Sequence, residues 1–390
     1  MSIKPSRLGF RHPANTIIPA LLLTVTSLIW MRQHIPKYTP IIVTDFSPVI
    51  QTHCVGRYLI DLPESMGNAK VSNVILYFGL GKNFKQVEID MPENNSVTPA
   101  VFEQFVNSRR MELKTTIQST ADVPLLLHEK LFSNLEKSNG ILFRRLSGSS
   151  TIISELHLLI QDKYVILKSE SYPPETSYQE ERNDRFKLVD PNAAEKRISD
   201  VASALIRIKQ NDNTRAGFCM NDVLIDNSIV HYDEEKATFH FNPPEFKGLA
   251  LFDLTIDMMG KYGYESETLH DRMANRTMLA NMLGGLKGEI RIRNIRRTDR
   301  TIEAVSFQEW ADEVYFLKEK STQYAFALQN ERPKKGFETF NRPAIIVNLE
   351  SGGTRYENTL SPYSLHQLEP AWDQWLGSLR LSPGNRHALQ

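Results

Sequence analysis

The chain has 390 residues, with 46 Lys+Arg balanced by 46 Asp+Glu. That length predicts two domains, and 41% hydrophobic with 24% charged residues excludes intrinsic disorder, a collagen-like rod and a polytopic membrane protein. Zero net charge argues against nucleic acid as a partner, because phosphate binding needs a basic surplus.

The charges are unevenly placed. Residues 1–37 carry Lys4, Arg7, Arg11, Arg32 and Lys37 and no acid, leaving 41 basic against 46 acidic residues from Tyr38 onward. Residues 14–31 are uncharged and dominated by Ile, Leu and Val. At about 1.5 Å per residue they span about 27 Å, just enough for a bilayer core. A basic segment followed by an apolar one is an export signal. No small-x-small cleavage site follows, and Trp30 and Arg32 suit an interfacial anchor. The expectation is a cytoplasmic leader over 1–13, an uncleaved signal anchor in the inner membrane over 14–31, a linker over 32–50 and a periplasmic remainder. A cleaved signal peptide and a buried helix are the alternatives.

A duplication organises the rest. Cys54-Val55-Gly56-Arg57-Tyr58-Leu59-Ile60-Asp61 and Cys219-Met220-Asn221-Asp222-Val223-Leu224-Ile225-Asp226 share the pattern C-x4-L-I-D. A strand follows each, over 87–91 and 254–258. A helix comes next: Thr98 caps the first, with Pro99 at its first position and Val101, Phe102, Phe105 and Val106 as an apolar stripe. The second starts near Ser266, with Leu269, Met273, Leu279 and Leu283 on one side. Strands are expected over 141–146, 152–160 and 164–169 in the first half and over 289–295, 324–328 and 344–349 in the second. Each half closes with a helix, over 191–208 and 370–379. The fold class is α+β: two tandem, related domains over 51–212 and 213–384, each with a mainly antiparallel sheet and packed helices, then a tail over 385–390.

Catalytic patterns are missing. There is no G-x-S-x-G elbow, and His128-Glu129 lacks the second His of a zinc motif. Gly79-Leu80-Gly81-Lys82 reads as a turn, and His231 and His240 as surface histidines. No enzyme, cofactor or metal site is expected. The two cysteines, Cys54 and Cys219, begin equivalent strands, so a pseudo-twofold arrangement would join them in one bridge between halves. Two separately buried thiols are the alternative.

Features suited to protein recognition are more plentiful. Ile290-Arg291-Ile292-Arg293 alternates, which in a strand sets Arg291 and Arg293 on one face, with Arg296, Arg297 and Arg300 close behind. Arginine forks suit carboxylates or phosphates; the alternative is a solvated face balanced by local acids. The long polar loops over 169–191, with Tyr172 and Tyr178, and over 331–342, with Phe337, are further candidate contacts. Trp372 and Trp375 are expected in the core.

Cys54-Val55-Gly56-Arg57-Tyr58-Leu59-Ile60-Asp61-Leu62-Pro63 resembles the opening of the type VI secretion lipase immunity proteins, those cognate to the fourth class of secreted phospholipase effectors. Gly217-Phe218-Cys219 resembles the start of that family's C-terminal domain. The resemblance spans about residues 50–382. It implies a non-enzymatic antitoxin that grips a phospholipase in the periplasm with two domains; the alternative is an anchored periplasmic module for a lipid or envelope ligand.

Overall fold

The computed structural model describes residues 45–79, 85–92, 95–118, 122–134, 138–147, 151–171, 190–208, 215–243, 252–259, 267–287, 290–317, 321–331, 343–352 and 361–387. The leader and the 14–31 segment lie outside them; no helix among the described residues is long and apolar enough to cross a membrane.

The first half runs β1 (Ile50–Gly56), β2 (Tyr58–Pro63), β3 (Lys70–Phe78), β4 (Lys85–Asp90), α1 (Pro99–Thr115), the short pair β5 (Ile117–Gln118) and β6 (Val123–Pro124), then β7 (Leu126–Asn134), β8 (Ser138–Ser147), β9 (Thr151–Ile160), β10 (Lys163–Ser171), α2 (Pro191–Ala204) and β11 (Leu205–Arg207). The second runs β12 (Gly217–Met220), β13 (Val223–Asp226), β14 (Glu234–Phe241), β15 (Phe252–Met259), α3 (Leu269–Lys287), β16 (Ile290–Ile302), β17 (Val305–Phe316), β18 (Ser321–Asn330), β19 (Ala344–Ser351), α4 (Leu365–Ser378), β20 (Arg380–Leu381) and α5 (Pro383–His387). Apart from β5, β6 and α5, the two series match element for element.

Each C-x4-L-I-D motif is a hairpin rather than one strand. Its two-residue turn needs a left-handed first residue, supplied by Gly56 (φ 60°) and Asn221 (φ 55°). A Cβ at Gly56 would also stand 2.6 Å from Met258 Sδ.

The halves do not keep separate sheets. Strands β3-β4-β10-β9-β8-β7 and β14-β15-β19-β18-β17-β16 have the same order, and β3 pairs antiparallel with β14, giving one twelve-stranded sheet. The hairpins form a second sheet in the order β11-β13-β12-β1-β2-β20. Here β11, the end of the first half, pairs with the second half's hairpin, while β20 pairs with the first half's. Each half thus completes the other, and residues 42–390 form one compact unit.

The small sheet, α2 and α4 pack on the inner face of the large sheet in a core that includes Ile60, Phe218, Phe239, Ile256, Trp372 and Trp375. The outer face carries α1, through Phe102, Val106 and Leu113 against Phe143 and Tyr164, and α3, through Leu269 against Trp310. Thr98 Oγ1 accepts from Val101 N at α1 and Pro99 is its first residue. The last helix begins earlier than its proline suggests: Ser364 and Gln367 form a capping box, and Pro370 lies inside α4.

His53 on β1 is buried edge-on to Phe241 at 5.1 Å, and its Nε2 has no hydrogen-bond partner among the described residues. Burial lowers its pKa to about 4, against an opposing pull from Asp61. A histidine held neutral in the fold but titrating near 6.5 when unfolded makes its full contribution above pH 6.5 and loses it as pH falls toward 4. Replacing His53 with Phe is expected to flatten stability against pH across that window, removing a slope worth about 3 kcal/mol in total. Urea titrations at pH 7.5, 5.5 and 4.5 check this; parallel pH dependence in both proteins would contradict it.

Candidate functional site

The basic strand is β16, an edge of the large sheet. Arg291 and Arg293 are exposed on one face, and Arg293 pairs with Glu313 directly across on β17 at 2.8 Å. A bulge between Asn294 and Arg296 shifts the parity, so Arg296 and Arg300 follow onto that same face, where α4 packs. Both bind the fully buried Glu309, Arg296 at 2.9 Å and Arg300 at 3.2 Å, and both pair with Asp373 of α4; Trp372 Nε1 donates to Glu309 at 2.7 Å. These two arginines therefore lock α4 to the sheet. Arg297 lies on the other face, 5.7 Å from the Trp310 ring centre. Arg291 has no ion pair among the described residues. Tyr172, Tyr178 and Phe337 lie outside the described residues.

Under α1 a polar network resembles a catalytic relay. Tyr164 Oη is 2.5 Å from His157 Nδ1, and His157 Nε2 is 2.8 Å from Glu155 Oε1. Arg109 and Arg145 also grip Glu155. Burial opposes ionisation of Glu155, but hydrogen bonds from His157, Arg109 and Arg145 outweigh it and hold the carboxyl well below its usual range. Burial, then the Glu155 charge, pushes the Tyr164 hydroxyl above its ordinary value. A carboxylate saturated by two arginines and a phenol that resists ionisation form a structural network, not a poised base and nucleophile. No cluster of His, Cys, Asp and Glu among the described residues is placed to hold a metal.

The more open features lie along the seam of the halves. On the outer face between α1 and α3, no helix among the described residues covers β3, β4, β14 and β15. Lys70, Asp90, Glu170 and Glu350 are exposed there and Glu88 and Asp257 half-buried. Burial, then Glu170 and Asp90, raises the Glu88 carboxyl above its ordinary value.

At one end of this face is a cavity of about 410 Å³ lined from both halves, including Asn68, Lys70, Asn95, Ser96, Lys163, Asn221 and Asp222. It lies beside a turn at which the duplicated hairpin reverses charge. Arg57 in the first turn corresponds to Asp222 in the second. Arg57 is buried and filled in around by Glu235 (2.6 Å), Tyr232 and Asn385. Asp222 is shorter and pairs with Lys163 at 2.9 Å and Arg207 at 2.8 Å. The duplicated motif aligned Arg57 with Asp222 in the sequence but hid the turns, since each motif reads as one strand; the cavity lining, drawn from separate segments, left no local signal.

Beside these hairpins, Cys54 and Cys219 are joined in a disulfide on the paired strands β1 and β12, with Cα atoms 5.9 Å apart.

Comparison with known proteins bears on what these surfaces serve. Residues 51–211 match the model of the Tle cognate immunity protein 4 N-terminal domain, and residues 213–384 that of its C-terminal domain. No curated protein matches the chain in sequence. Among solved structures, it is similar to the apo immunity protein TplEi of the T6SS from Pseudomonas aeruginosa at 18% identity, with a TM-score of 0.58 and coverage of 86% of this chain and 97% of that one. It is also similar to a chain of the Tle4–Tli4 complex at 19% identity, with a TM-score of 0.57, covering 86% and 98%. A further similar structure holds TplEi with an "L" peptide, at 18% identity, TM-score 0.55 and coverage of 86% and 99%. With both domain models matched over nearly the whole described part, the chain belongs to the Tle cognate immunity protein 4 family.

Proposed function

We infer that this immunity protein binds a type VI secreted lipase effector and blocks its attack on phospholipid. The observation that carries the reading is the match of both family domains, in order and almost without a gap, over residues 51–384. The protein is not an enzyme but the counterpart of one.

Location follows from chemistry. The disulfide between Cys54 and Cys219 suits an oxidising compartment, and the acid-free basic leader suits export, so the periplasm is the working site. The uncharged 14–31 segment supports retention at the inner membrane, where an incoming phospholipase meets its substrate. The two halves share both sheets, so they act together as one compact unit. Contact from two sides would then come from α1 and α3, which flank the uncovered outer face.

An inhibitor that covers the lipid entrance acts on membranes more than on small substrates. Titrating the chain into its cognate lipase is expected to abolish hydrolysis of phospholipid vesicles near a 1:1 ratio while sparing cleavage of a soluble monomeric ester. Loss of both activities would place the block at the catalytic residues instead. No inhibition of either would remove the reading.

A further inference from the structure

The seam cavity is lined by cationic and amide side chains. Lys163 is buried, and its ammonium donates to Ser96 Oγ at 2.6 Å and pairs with Asp222 Oδ2 at 2.9 Å. An ammonium has three N–H donors, and no third partner is found among the described residues. Ser96 Oγ accepts that bond, so its own proton remains available. Lys70 stands exposed at the rim without an ion pair among the described residues. Asp222 is shared between Lys163 and Arg207, and Arg207 also pairs with Asp162, so among the described residues here Lys70, Lys163 and Arg207 outnumber Asp162 and Asp222. Asn68, Asn95 and Asn221 add side-chain amides, with Asn221 Nδ2 donating to Ala69 O at 2.9 Å, around a floor that includes Met66, Val71 and Met91.

This combination fits a particular ligand. Buried and rim ammonium groups select an anion. Asparagine amides both donate and accept, as a peptide backbone requires. The apolar floor suits the carbon stem of a side chain. A space of about 410 Å³ admits a few residues of a loop, not a folded surface. At the corresponding turn of the first half, Arg57 is instead bonded by Tyr232 and Asn385.

We propose that the seam cavity is a binding site for an acidic peptide loop, whose carboxylate side chain reaches Lys70, Ser96 and Lys163. The assignment rests on the effector-binding reading and names the part of the effector that enters: a loop presenting Asp or Glu. Because residues of both halves line the cavity, the loop engages the two family domains at once.

Isothermal titration of the full exported chain with a catalytically inactive cognate lipase tests this. Lys70→Glu reverses a rim charge at an exposed position, so folding is unaffected, as a melting curve will verify. It is expected to weaken binding at least tenfold, and the remaining affinity will depend less on salt than the wild type's. Lys130→Glu makes the same charge change at an exposed position of β7, an outer edge of the large sheet, and is expected to stay within twofold of wild type. Unchanged affinity in Lys70→Glu, or equal loss in both variants, overturns the site while leaving the immunity reading intact. Failure of the wild-type chain to bind lipase at all overturns the immunity reading itself. Lys70-dependent binding to phosphatidylglycerol vesicles, with lipase binding insensitive to Lys70→Glu, would assign the cavity to a lipid phosphate and reject the peptide.

Discussion

Replacing Arg57 with alanine is expected to destabilise the protein by about 3–5 kcal/mol, the range for breaking one side of a buried ion pair. Arg57 and Glu235 are each about 2% exposed, and the guanidinium bonds both carboxylate oxygens, at 2.6 and 2.9 Å. Tyr232, Asn385 and Asn227 also bond this pair. The pair joins the turn between β1 and β2 to the first residues of β14, so it ties the two sheets together across the halves. Burial pushes the Glu235 carboxyl above its ordinary value, and only Arg57 and the hydrogen bond from Tyr232 resist. Without Arg57 the carboxylate must either stay charged in an apolar site or take up a proton. Arg57→Met with Glu235→Gln removes both charges and is expected to recover most of the loss. Urea unfolding of the three proteins at pH 7.5 measures this. A loss below 1 kcal/mol for Arg57→Ala would mean that the network contributes little.

The second large effect is expected from the disulfide. Replacing Cys54 and Cys219 with serine, or adding reductant, should cost about 2–5 kcal/mol. The bond closes 165 residues of sequence separation, so it restricts the unfolded chain strongly. The fold should survive, because β1 and β12 remain paired beside the bond and the large sheet crosses the seam independently. The measurement is the urea midpoint with and without reductant for wild type and for the double serine variant. Reductant is expected to shift only the wild type. Identical midpoints in all four conditions would show that the bond does not form in solution.

Local patterns revealed much of the fold, and non-local pairing accounts for most of what they hid. Thr98-Pro99 marked the start of α1, and apolar runs marked β4, β9, β10, β15 and β19. The C-x4-L-I-D repeat disclosed the duplication, but a repeat says nothing about who pairs with whom. The joining of β3 to β14 and the exchange of β11 and β20 depend on residues far apart in sequence. The helix expected over 191–208 shows the same limit: Leu205 and Ile208 fit its spacing, yet α2 stops at Ala204, and residues 205–207 are drawn into a strand beside β13. Strand β17 escaped notice because Glu309 and Asp312 interrupt its apolar pattern; Arg296 and Arg300 make Glu309 tolerable inside, and Thr277 and Asn294 do so for Asp312. The arginines of β16 were visible as a cluster, but the bulge that turns Arg296 and Arg300 toward α4 was not. The seam cavity needs both halves in place before it exists.

Co-expression in one cell tests the central claim most directly. The cognate lipase is directed to the periplasm and growth is followed with and without this chain. Lipase alone is expected to stop growth, and lipase with the full chain to restore it to the rate of cells carrying an inactive lipase. Continued growth arrest, with the chain present in the periplasm and folded, would contradict the account.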